Sequence, residues 1–252
     1  MENKITFITG ATAGIGQAIA ELLAEKNYAL ILCGRRLERL EKLEETLNKK
    51  TQVMTLCFDV RDRKAVKAAI TSLPANWAKI DLLINNAGNA HGLQPIHEGS
   101  LDDWEAMIDI NVKGLLYVSK YIIPQMVKRK AGQVINIGSI AGKEVYPKGN
   151  VYCASKFSVD AITQGMRLDL NPYGIKVTAI NPGLVETEFS LVRFKGDQAH
   201  AEQVYKGYTP LYAQDVAETV WFAASRPPHV QIADLIVLPT AQASSTMVHK
   251  AD

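Results

Sequence analysis

The chain has 252 residues, 47% hydrophobic and 21% charged, with a formal net charge of +2. Those values fit a globular chain that buries a core without disulfide or metal, and exclude a disordered or fibrous one. With no clustered basic face, no run of ~18 apolar residues and only three widely spaced cysteines, they argue against nucleic acid, a membrane span and a zinc site, and for a reducing, cytoplasmic setting.

Short apolar runs alternate with longer segments of helical period. Residues 5–9 (ITFIT) read as a first strand, followed by a helix over 15–25. Residues 29–33 (ALILC) are a second strand, and a charged helix over 37–49 follows. Strands over 53–58, 82–85, 134–137, 177–180 and 235–238 bring the number to seven. Long helices are expected over 102–127, bent or interrupted before Pro124, and over 152–170. Most strand runs are continuously apolar, as in strands covered by helices on both faces, which makes the sheet parallel. The pattern is a doubly wound α/β fold with a seven-stranded parallel sheet, one domain over 1–252. Residues 184–211 are irregular, with Gly196 and Gly207, and are expected to cover a substrate.

The first strand runs into Gly10-Ala11-Thr12-Ala13-Gly14-Ile15-Gly16 and then a helix. Glycines at this spacing keep the turn tight, and the helix N-terminus offers free amides to a pyrophosphate. The second strand ends in Gly34-Arg35-Arg36, with no carboxylate for a ribose 2′-hydroxyl and two guanidiniums for a 2′-phosphate. That favours NADP over NAD, unless the arginines only begin a surface helix. Asp59, beside Val60, either accepts from an adenine amino group or caps the next helix. Asn86, Ala87 and Gly88 end the fourth strand with small residues and an amide, suited to a ribose lying against the backbone or simply to a turn.

Tyr152 and Lys156 stand four residues apart, on one helix face. A tyrosine hydroxyl serves as acid and base when a nearby ammonium lowers its pKa. Ser139, after the fifth strand, can hold a substrate oxygen, and Asn111, in the preceding long helix, can anchor a water linking Lys156 to solvent. His91, His97, His200, His229 and His249 have no metal-ligand spacing. Cys153 points away from Tyr152's helix face, as expected of a packing residue.

TGATAGIG, NNAG, Asn111, Ser139 and YCASK together resemble the short-chain dehydrogenase/reductase family over essentially the full chain. The resemblance implies strand order 3-2-1-4-5-6-7 and a homotetramer or homodimer. It makes Tyr152 the acid/base and Lys156 the residue that lowers its pKa and holds the nicotinamide ribose. Ser139 then orients substrate and Asn111 completes a proton relay. Pro182, Gly183, Val185 and Thr187 match the family segment that contacts the nicotinamide amide. CGRRLERLEKL, NVYCASKF and PGLVETEFSLVRFKGD further resemble the NADP-dependent serine and 3-hydroxy acid dehydrogenase branch. This implies hydride transfer at the C3 alcohol or carbonyl of a small acid, and Arg193 rather than Lys195 is expected to hold the carboxylate, as a planar fork. The rival readings are a general carbonyl, ketone or acyl-carrier reductase and a non-catalytic dinucleotide-binding regulator.

Overall fold

The computed structural model of the chain describes residues 3–251; the one-domain expectation for 1–252 also takes in residues 1, 2 and 252, which lie outside the described residues. Strands β1 (Ile5–Thr9), β2 (Ala29–Gly34), β3 (Val53–Cys57), β4 (Ile80–Asn85), β5 (Gln133–Ile137) and β6 (Lys176–Pro182) are followed by two two-residue strands, β7 (Val185–Glu186) and β8 (Leu211–Tyr212), and then by β9 (Asp234–Val237). Seven of these form one sheet in the order β3-β2-β1-β4-β5-β6-β9, with every pairing parallel.

The continuous apolar runs follow from the two faces of this sheet. Phe7, Ile31 and Leu83 enter one core, while their neighbours Ile8, Leu30, Leu32, Leu82 and Ile84 enter the other. Side chains alternate along a strand, so both parities must be apolar when both faces are covered. Helices α1 (Gly14–Glu25) and α2 (Leu37–Leu47) contribute to one core; α3 (Arg63–Thr71) packs with α5 (Leu115–Arg129) over the other. The edges depart from the pattern: β3 is half-buried from Met54 to Leu56 and exposed at Cys57, and β9 alternates between exposed and half-buried.

The long helix expected over 102–127 is divided, but not at Pro124. α4 (Leu101–Ile108) passes through a π-helical turn (Asp109–Gly114) into α5, and Pro124 lies inside α5. Pro124 and Lys120, whose carbonyl loses its helical partner, are both exposed, so water can take that oxygen. The helix expected over 152–170 begins slightly earlier, as α6 (Asn150–Leu170). The stretch 184–211 is more ordered than its composition suggests. It holds α7 (Glu188–Arg193) and α8 (Gln198–Tyr205), and β7 pairs with β8 across it before α9 (Ala213–Ala224), which packs on α1. Among the described residues, no helix is long and apolar enough to cross a membrane, and no group of three or more His, Cys, Asp or Glu is placed to hold a metal.

Candidate active site

In this sheet β1 pairs β2 on one side and β4 on the other, so the chain reverses direction of winding there. Such a switch point opens a crevice at the carboxyl ends of the strands. A cavity of about 310 Å³ lies there. Gly10, Thr12, Ala13, Gly14 and Ile15 form one wall, and Arg35, Arg36, Asp59 and Val60 one end. Asn86, Ala87 and Gly88 line the middle; Ser139, Tyr152 and Lys156 line the other end. Pro182, Gly183, Val185 and Thr187 complete the lining. Gly16 and Asn111 lie behind the wall, and Arg193 borders an adjoining cleft that shares Tyr152.

The glycine turn is built for close approach. A Cβ at Gly16 would stand 2.3 Å from the Gly10 carbonyl oxygen and 2.4 Å from the Asn86 amide nitrogen. Asn86 Nδ2 donates to the carbonyls of Thr9 (2.9 Å) and Gly10 (3.1 Å), tying the end of β4 to the turn after β1. Ala13 occupies the N-cap of α1 with no side-chain cap. The first helical amides are thus left to a ligand at this end of the cavity, the donor set a diphosphate needs.

The β2 end separates its two arginines. A Cβ at Gly34 would stand 2.6 Å from Thr12 Cγ2, so a carboxylate at this position would collide with the turn. Arg36 is fixed: Nε and Nη2 donate to Thr12 Oγ1 at 3.2 and 3.1 Å, and Nη1 donates to Glu188 at 2.9 Å. Among the described residues, the Arg35 side chain pairs with Asp59 alone, at 3.5 Å, and is more than half exposed. Burial works to raise the Asp59 carboxyl, but hydrogen bonds and charge from Arg61, helped by Arg35, outweigh it and hold the group below its usual range. The cap of α3 is Asp62, which accepts from the amides of Lys64 and Ala65, so the capping role considered for Asp59 belongs to Asp62.

At the other end Ser139, Tyr152 and Lys156 are brought together, all buried. Ser139 Oγ accepts from the Ala141 amide at 3.1 Å and is hydrogen-bonded to Tyr152. Burial pushes the Tyr152 phenol well above its ordinary range and nearby Tyr146 adds to this; the Ser139 hydrogen bond and the Arg193 charge pull the other way. Burial brings Lys156 down to about 8. Its Nζ donates to the Ile137 carbonyl at 3.1 Å and lies 6.0 Å from the Tyr152 ring centroid. The leading influences on the phenol are therefore burial, Tyr146, Ser139 and Arg193, whereas the residue spacing pointed to Lys156. Asn111 sits in the π-helical turn with its side chain engaged. Oδ1 accepts from the Asn89 amide, and Nδ2 donates to the Asn89 carbonyl and to Ser155 Oγ, all at 2.9 Å.

Arg193 and Lys195 have different surroundings. Lys195 is exposed and pairs with Asp103 at 2.9 Å. The Arg193 guanidinium lies 5.6 Å from the Tyr152 ring centroid and 5.5 Å from that of Tyr146. Its Nη2 donates to the Tyr146 hydroxyl (2.8 Å) and Nε to the Gly92 carbonyl (3.3 Å), while the Gly92 amide donates back to the Arg193 carbonyl (3.0 Å). Phe189 packs edge-on against Tyr152 with centroids 5.7 Å apart, so α7 lies over this end of the cavity. Glu188, Phe189 and Tyr146 were not singled out from the sequence. Glu188 meets a partner 152 residues away, which no local pattern reveals, but a second tyrosine six residues before Tyr152 was a visible signal.

A model of the short-chain dehydrogenase family matches residues 4–197. The chain is 45% identical over 249 residues to the NADP-dependent 3-hydroxy acid dehydrogenase YdfG of Salmonella typhi, covering 98% of this chain and 100% of that one. It is equally 45% identical, over 251 residues, to sulfoacetaldehyde reductase 2 of Chromohalobacter salexigens, covering 99% and 100%. The closed form of a serine dehydrogenase complexed with NADP+ superposes with a TM-score of 0.92 at 44% identity, over 98% of this chain and 99% of that one.

Proposed function

Because the chain belongs to the short-chain dehydrogenase family, we propose that it is an NADP-dependent oxidoreductase that interconverts the C3 alcohol and carbonyl of a small 3-hydroxy acid, of the serine or 3-hydroxypropionate type. The uncapped start of α1 and the exposed, loosely paired guanidinium of Arg35 suit the diphosphate and 2′-phosphate of NADP. That cofactor, when bound, supplies or accepts the hydride at the substrate carbon. The chain's own part is at the oxygen. Tyr152 donates its proton to the developing alkoxide in reduction and accepts it back in oxidation, and Ser139 holds the same oxygen. Burial keeps the proton on the phenol, and the nearby charge of Lys156 becomes more valuable in drawing it off as water is excluded. Asn111 acts through the loop it braces: it fixes the Asn89 backbone next to Gly88, in the cavity wall near Lys156.

The observation that carries the substrate class is Arg193. A guanidinium held by Tyr146 and Gly92 beside the Tyr152 ring is a preorganised partner for an anion a short, fixed distance from the reacting oxygen. Its Nη1 is the nitrogen that neither Tyr146 nor Gly92 occupies. A second reading is favoured by the similarity to sulfoacetaldehyde reductase. Malonic semialdehyde and sulfoacetaldehyde are both an anion joined through one methylene to an aldehyde, so one guanidinium can hold either. The test is a panel of 3-hydroxypropionate, serine, 2-hydroxyethanesulfonate and a neutral alcohol of similar size, followed by NADPH absorbance in both directions. Wild type should favour one of the anions. Arg193→Ala should raise its KM about ten- to a hundredfold, the loss of a charged hydrogen bond, and spare the neutral alcohol. A wild type that prefers neutral substrates would replace this reading with a general carbonyl reductase.

A further inference from the structure

The lid segment is fastened at two ends, and only one of them belongs to the substrate. At its C-terminal end Arg193 is tied to Gly92 and Tyr146, and Lys195 to Asp103. At its N-terminal end Glu188 reaches the adenosine side of the cavity. Its Oε2 accepts from Arg36 Nη1 at 2.9 Å and its Oε1 from Arg39 Nη1 at 2.8 Å, so one carboxylate spans two guanidiniums. Both arginines also hold the glycine turn, Arg36 through Thr12 Oγ1 and the Thr12 carbonyl and Arg39 through that carbonyl at 3.4 Å. Between these anchors Thr187 lies against the turn: a Cβ at Gly14 would stand 3.2 Å from Thr187 Cβ. The glycine turn and the start of α7, both in the cavity lining, are thus joined by two ion pairs on one carboxylate. The same hydrogen bonds hold Glu188 below its usual carboxylate range, so it is charged at neutral pH.

We propose that Glu188 is a positioning residue that latches α7 over the bound dinucleotide through Arg36 and Arg39, leaving Arg35 as the guanidinium that reads the 2′-phosphate. The division of labour follows from the contacts. Arg36 and Arg39 are occupied by Thr12 and Glu188, whereas Arg35, among the described residues, has only Asp59, which is itself held more closely by Arg61 at 2.7 Å. The latch holds the turn that serves the diphosphate, common to NADPH and NADH, and so governs how long either stays bound and not which is preferred. It sits near solvent, with Glu188, Arg36 and Arg39 side chains each above 40% exposed, so it can open and reclose during turnover and is weakened by salt.

The inference rests on the dinucleotide reading above but not on the substrate. Its test is stopped-flow release of NADPH and of NADH, followed by nucleotide fluorescence with no substrate present. Glu188→Gln keeps the shape and removes the charge. It should speed release of both nucleotides by the same factor, about three- to tenfold, as expected for an exposed charged contact. Glu188→Asp, too short to span both arginines, should fall between. Added salt should hasten release from wild type by a larger factor than from Glu188→Gln, whose remaining salt dependence comes from the phosphates alone, a difference that a merely structural glutamate would not produce. Arg35→Ala should instead alter the NADPH-to-NADH preference. Unchanged release from Glu188→Gln would reduce the contact to an ordinary surface pair and overturn the proposal. Slower release of NADPH alone would overturn it too, showing that Glu188 competes with the 2′-phosphate for Arg36. Wild type that binds neither nucleotide would sink the dinucleotide reading with it; a failed substrate panel would leave this result standing.

Discussion

A tyrosine hydroxyl enclosed by Ser139, Tyr146, Arg193 and Phe189 is a weak acid until something stabilises its anion. Within the free protein that force comes from hydrogen bonding by Ser139 and from the Arg193 charge, both opposed by burial. The two substitutions that separate proton transfer from scaffolding are Tyr152→Phe and Ser139→Ala. Tyr152→Phe keeps the ring that packs against Phe189 and removes only the proton donor. It should lower kcat by ~10²-fold or more while leaving NADPH affinity, measured by fluorescence titration, within a few-fold of wild type. Ser139→Ala removes one acceptor-donor at the same oxygen and should cost less. Retention of a tenth of wild-type kcat by Tyr152→Phe would mean that another group, with Tyr146 the nearest candidate, delivers the proton.

At the scale of elements, the site depends on a local departure from α-helical geometry. The π-helical turn between α4 and α5 carries Asn111 to the loop after β4, where its amide satisfies both backbone groups of Asn89 as well as Ser155. Asn111→Leu has a similar size but removes three hydrogen bonds, two to the half-buried Asn89 backbone and one to the buried Ser155 hydroxyl, which keeps its own bond to the Tyr152 carbonyl; each is worth ~0.5–1.5 kcal/mol. It should destabilise the protein by about 2–4 kcal/mol in urea melts and weaken NADPH binding through the loosened Gly88 loop. A variant as stable as wild type would show that water replaces the amide. This turn was not legible in the sequence, because one inserted residue barely alters a helical hydrophobic period, and Pro124 drew attention to the wrong place. The strands were legible for the opposite reason. Phe7 and Ile8 serve opposite cores, so the doubly covered sheet leaves unbroken apolar runs that no amphipathic helix needs. Tyr152, Lys156 and Ser139 could be read from order and spacing along the chain. The Glu188 latch and the Tyr146–Arg193 pair could not, since each joins residues far apart in sequence whose meeting depends on how α7 is laid over the cavity.

For the molecule as a whole, the buried lysine carries a measurable cost. Unfolded, the Lys156 amine has its ordinary pKa of 10.5; folded, burial brings it down to about 8. Between those values the unfolded chain still holds a proton that the folded chain has released, so this group's contribution to stability rises with pH across the window. Below pH 8 both states are charged and the native fold bears the full penalty, on the order of 3 kcal/mol. Lys156→Met, which fills the same space without charge, should therefore be more stable than wild type at neutral pH in the absence of nucleotide. The margin should shrink as pH rises from about 8 toward 10.5. Cys33 and Tyr152 act in the other direction, since their raised folded pKa values cost stability as the solution becomes alkaline. Cys33 lies in the core away from the substitution and cancels in the comparison, and Tyr152 titrates above the window on the folded side, so the difference between the two proteins isolates the lysine. Paired urea melts across that range measure it. A margin that stays constant with pH would show that the amine does not titrate within the fold. A wild type more stable than Lys156→Met at every pH would show that the hydrogen bond to the Ile137 carbonyl outweighs the buried charge.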